Sequence, residues 1–183
     1  MKKEKLQDYT TDLYALIKHT LNVVKTQKTS TKVSNSKAVD LLHDIDVAFT
    51  EQINDFDNMK EFINDGTVST IKEKVASFSG SVAGLLNTQR EDPVSKMLRD
   101  DYTALGMIAS GYTMLHTAAL GAGEDELAEF TKSSLTTVAA LITETSRVLP
   151  HAVASDLDID EIAEAAETNT QECWNPENMM AEV

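Results

Sequence analysis

Residues 92–150, DPVSKMLRDDYTALGMIASGYTMLHTAALGAGEDELAEFTKSSLTTVAALITETSRVLP, carry the pattern that decides the fold. Asp92-Pro93 is a helix start, because Pro suits the first turn and Asp caps it. Leu98, Tyr102, Leu105, Ile108, Tyr112, Leu115 and Ala119 then recur at three- and four-residue spacing, as one face of a helix requires. GAGED (121–125) breaks the run and opens a second one, with Leu127, Phe130, Leu135, Val138, Leu141 or Ile142, and Leu149 on its stripe. Pro150 is expected to stop it. Gly106, Ala109, Ser110, Gly111, Ala118 and Ala119 are small, which predicts close approach by a neighbouring helix. Two long helices joined by so tight a turn form an antiparallel pair.

The same spacing extends toward the N-terminus. Residues 5–27 place Leu6, Tyr9, Leu13, Leu16, Thr20 and Val23 on one stripe, with Tyr14, Ile17, Leu21 and Val24 beside it. A face that wide is buried against more than one neighbour, and its second stripe suggests self-association. TSTKVSNS (29–36) reads as a loop in which Ser34 or Ser36 caps a second helix over 37–64. That helix turns Val39, Leu42, Ile45, Phe49, Ile53, Phe56, Met59 and Ile63 inward and ends at Asp65-Gly66. Residues 67–88 continue the pattern through SFSGSVAG and read as a weaker crossover helix. The predicted long helices are thus 5–27, 37–64, 93–120 and 124–149, within a helical bundle domain over 1–155. An acidic extension, 156–183, carries a short helix at DEIAEAAE and the single Trp174, which is expected either to fold back and pin the tail or to serve as a docking motif.

The chain has 183 residues, 42% of them apolar and 25% charged, with a net charge of -14. One all-α globular domain of this size needs no disulfide or metal staple, and the lone Cys173 can form no disulfide framework. Charge is segregated. Residues 1–37 hold eight Lys against three acids, residues 38–155 hold eight bases against eighteen acids, and residues 156–183 hold nine acids and no base. An acidic body and tail repel phosphate backbones, so no nucleic-acid partner is expected. No apolar run has membrane-spanning length, and the polar start MKKEKLQDYT lacks a signal-peptide core. No membrane association and a cytoplasmic location are the expectations.

DLYALIKHTLNVV (12–24), RDDYTALGMIASGYTMLHTAALG (99–121) and ELAEFTKSSLTTVAALITETSRVLPHAV (126–153) resemble the ferritin-like family of small, stress-associated bacterial bundle proteins. The resemblance covers roughly residues 5–150. It implies a ferritin-like four-helix bundle, with a helical crossover between the second and third long helices. It also implies where iron ligands would stand, and there this chain departs. Where the family has a Glu after a Tyr-x-x pattern in the first helix, Tyr14-Ala15-Leu16 is followed by Ile17. Around Phe49 to Gln52 only Glu51 remains of an acid and imidazole pair, and Thr136, Thr137 and Val138 replace the carboxylates of the fourth helix.

A di-iron bundle needs inward carboxylates and Glu-x-x-His pairs. The sequence has no E-x-x-H; the nearest match is Asp40-Leu41-Leu42-His43, at a helix start. Asp12, His19, Asp101 and His116 remain as a sparse mixed site for iron, against the alternative that both His rings bond to Thr or Tyr hydroxyls. No nucleophile elbow, phosphate loop, zinc spacing or calcium loop is present. The sequence therefore points to a non-catalytic bundle without a cofactor, a stress-associated structural or protein-interaction module that self-associates or binds a protein partner. The alternative is an iron-binding protein or oxidase with a non-standard ligand set.

Overall fold

The computed structural model describes residues 3–63 and 93–174, and among these the regular structure is entirely helical. In chain order the α helices are α1 (Lys3–Lys28), α2 (Ser36–Asn58), α3 (Val94–Ala122), α4 (Asp125–Asp156) and α5 (Ala163–Glu172). Short 3-10 turns occupy Lys60–Phe62 and Asp160–Ile162. The expected crossover over 67–88, Asp65-Gly66 and Asp92 lie outside the described residues.

The four long helices pack side by side, α1 on α2 and α3, and α4 on α2 and α3. Every neighbouring pair is antiparallel. Tyr14 reaches Asp57 and Lys28 reaches Asp46 across α1 and α2. Gln27 bonds Asp101, while Leu13 lies against Gly111, across α1 and α3. Lys37 meets His151 across α2 and α4. Diagonal helices therefore run parallel, so α2 ends and α3 begins at opposite ends of the array. Glu61, whose carbonyl accepts from Gln7, and Asp101, beside Gln27, are separated by most of the length of α1, ~30 Å at 1.5 Å per residue.

Both stripes of α1 are buried apart from Tyr9, which is 40% exposed. The second stripe is consumed inside the chain and gives no reason for self-association. In α2, Leu41 and Ala38 turn inward while Val39 is exposed. The helix starts under Asn35, not Ser34 or Ser36, with the Asn35 side chain accepting from the Ala38 amide. It ends at Asn58 rather than 64, because Met59 leaves helical geometry.

At the start of α3 the cap comes from a distant residue. The Asp156 carboxylate, at the far end of α4, accepts from the Val94 amide at 3.2 Å and the Ser95 amide at 2.9 Å, placing negative charge at a helix N-terminus. Gly123 closes the α3–α4 turn with φ 74°, a left-handed conformation that glycine adopts without a Cβ clash. Pro150 does not stop α4, which continues to Asp156. His151, Ala152 and Ala154 beyond it are buried, and that packing outweighs the amide bond Pro cannot make.

Candidate functional site

One aromatic ring from each long helix meets the others in the interior. Phe56 of α2 lies nearly parallel to Tyr112 of α3, with centroids 6.3 Å apart. Its edge contacts reach Tyr14 of α1 at 5.8 Å and Phe130 of α4 at 4.8 Å. These are the favourable offset and edge-to-face arrangements of aromatic quadrupoles. Both phenols are satisfied: Tyr112 donates to Gln52 Oε1 and Tyr14 to Asp57 Oδ1, each at 2.9 Å. Burial first, then the Asp57 carboxylate, pushes the Tyr14 hydroxyl up to about 12. Burial likewise raises Tyr112, so both rings stay protonated and serve as hydrogen-bonding fillers.

The residues singled out as ligand candidates do not converge. Asp101 and His116 are fifteen residues apart on α3, ~22 Å along the axis, so no single ion is shared between them. His116 faces α4, where Nδ1 donates to the Ala128 carbonyl at 2.9 Å and lies 3.2 Å from the Thr131 hydroxyl. This is the Thr-bonded histidine of the alternative reading. Asp12 borders a surface groove between α1 and α3. His19 is half-buried, its Nε2 is without a partner, and burial lowers its pKa. Asp101 is fully buried with Gln27. His43 is exposed, with the Lys28 ammonium 3.5 Å from its Nδ1, a cation where a metal would compete. Among the described residues no three His, Cys, Asp or Glu side chains gather as a ligand group.

Among the described residues two surface grooves stand out. The α1–α3 groove, of about 340 Å³, has Leu13, Leu16 and Gly111 among its lining, flanked by Tyr9, Met107 and Met114. A larger groove between α2 and α4, about 670 Å³, mixes His43, Glu51, Glu144 and Arg147 with Val47 and Leu141. No family model, curated protein or solved structure matches this chain.

One cluster escaped sequence reasoning. Where α5 packs back along the end of α4, His151 Nε2 lies 2.7 Å from both Lys37 Nζ and Glu167 Oε2, and Lys37 lies 3.0 Å from Glu167. His151, then Lys37, holds the Glu167 carboxyl below the usual range. Three residues spread over 37–167 give no local motif. Placing α4 beyond Pro150 was the only signal available, and the proline argued against it. Trp174 stays 54% exposed, so the indole does not pin the extension. α5 is held instead by buried Ala163, by Glu167 and by Gln171, which donates to Ser146 Oγ.

Proposed function

We propose that the protein is a non-catalytic helical bundle of ferritin-like connectivity that works as a stress-associated structural or protein-interaction module. The observation that carries this reading is the four-ring cluster of Tyr14, Phe56, Tyr112 and Phe130. Each long helix spends an inward position on a ring, where a di-iron bundle would spend inward positions on carboxylates and imidazoles. Antiparallel neighbours, with the chain leaving at one end of the array and re-entering at the other, support the ferritin-like order of helices.

Metal analysis of purified, untagged protein with an anaerobic Fe(II) titration tests the reading. Iron no higher than in a buffer control supports it; two irons per chain with an oxygen-dependent absorbance change overturns it. The interaction role draws support from the α1–α3 groove, whose rim leaves Tyr9, Met107 and Met114 at 40%, 36% and 52% exposure. Self-association through that groove predicts a dimer in sedimentation velocity that Met114→Lys converts to monomer. A wild-type monomer at high concentration removes self-association from the proposal.

A further inference from the structure

Asp101 is fully buried in α3 and faces α1. Its Oδ1 accepts a 3.0 Å hydrogen bond from Gln27 Nε2. Its other oxygen, Oδ2, and the amide oxygen Gln27 Oε1 are both buried and both without a partner. The orphaned atoms are thus two acceptors, one on each member of the same pair. An unmet buried acceptor is costly, and two acceptors cannot satisfy one another. One proton changes that, because a carboxylic acid and a primary amide are complementary. The amide N–H donates to the acid carbonyl, and the acid O–H donates to the amide oxygen. Turning the amide over would put Oε1 against the carboxyl group and demand the proton all the same.

We infer that Asp101 is held as the uncharged acid in the folded protein, its Oδ2 proton donated to Gln27 Oε1, so that a two-bond acid–amide pair joins α1 to α3 and opens when Asp101 ionises.

The surroundings favour the neutral form. Burial raises the Asp101 carboxyl to about 7, opposed by the Gln27 bond and assisted by Asp100. Asp100 is itself taken by Arg99, whose Nε and Nη2 donate to it at 2.9 and 2.7 Å. On α1, Lys25 and Lys28 flank Gln27 in sequence but both reach Asp46 of α2. Also on α1, His19 lies two turns away and carries an unpartnered Nε2. On α4, the pairings Val94–Asp156 and His116–Ala128 bring residues near 144–149 level with Asp101. The charged pair there, Glu144 and Arg147, is exposed and 3.7 Å apart. Among the described residues no cation pairs with Asp101.

An unfolded aspartate loses its proton near pH 4, roughly, whereas the folded Asp101 keeps it to about 7. Stability from this proton is therefore full below the unfolded value and is lost as pH rises through the folded one. In that window the folding constant falls about tenfold per pH unit. Urea unfolding of the full chain from pH 5 to 8, wild type against Asp101→Asn, isolates the effect. Asn keeps an amide–amide pair with Gln27 and has no proton to lose, while His19 contributes equally to both proteins. The wild type is expected to lose folding constant relative to the variant up to about pH 7 and to run parallel above it. Parallel profiles throughout overturn the inference. If Asp101→Asn fails to fold, a carboxyl carbon NMR titration of aspartate-labelled wild type decides instead: one midpoint near neutrality supports the acid, and every midpoint below about pH 5 overturns it.

Discussion

Gly111 lies directly under Leu13: a β-carbon there would come within 2.9 Å of Leu13 Cδ1, whereas one on Gly106, in the same helix, would meet nothing within 4 Å. Both glycines weaken α3 by their backbone freedom, but only Gly111 is spaced for a neighbour. Gly106→Ala is expected to stabilise the protein by about 0.5–1 kcal/mol. Gly111→Ala should gain less, since Leu13 must shift, and Gly111→Leu should lose about 1–3 kcal/mol by overpacking. Urea midpoints of the three variants order them directly.

The four rings make a second prediction. Tyr112→Phe removes the donor from buried Gln52 Oε1 while keeping the ring stack, and should cost about 1–3 kcal/mol. Phe56→Ala removes the ring common to three of the contacts and should cost about 3–5 kcal/mol. If the two losses were equal in calorimetry, the cluster would owe its stability to the polar bond rather than to ring packing.

Acid should release α5 before the four long helices melt. Glu167 is held below the usual carboxyl range by His151 and Lys37, so its contribution is present above the unfolded value and is lost as pH falls through the lower folded one. The amides of residues 163–172 are expected to lose protection against exchange, relative to the unstructured chain at the same pH, below about pH 4.5. Glu167→Gln should give the same loss of protection at neutral pH without moving that of α3. Unchanged exchange in that variant would assign the hold on α5 to Ala163 and Gln171.

His19 gives stability a pH dependence opposite to that of Asp101. Burial lowers its pKa and Nε2 has no partner, so the fold prefers the neutral ring. As pH drops below the ordinary value of about 6.5, the unfolded chain takes a proton the fold resists, and stability falls. Ring-proton NMR should show the His19 midpoint below the ordinary imidazole value of about 6.5.

Helix type and packing face were legible because they rest on local spacing: Leu98, Leu105, Ile108, Tyr112 and Leu115 all lie in the core where the period put them. Boundaries set by distant partners were not. Pro150 reads as a stop, yet His151 and Ala154 find burial beyond it. The cap on α3 comes from Asp156, which no window around Pro93 contains. The candidate ligands stay apart for a related reason. Asp101 turns to Gln27 of α1 and His116 to Ala128 of α4, and which neighbour a face meets is not written in the spacing of one helix. Gln27, polar at the end of an apolar stripe, was the readable hint that Asp101 has a private partner.

Asp156 and Glu167 together make the C-terminal extension a lace across one end of the molecule. The first ties the end of α4 to the opening turn of α3, and the second ties α5 to Lys37 at the opening turn of α2. Each half of the helix array is thus fastened to the same short stretch of chain. A tug on the extension is felt at the start of both halves at once, and the exposed Trp174 lies just beyond the second of those ties.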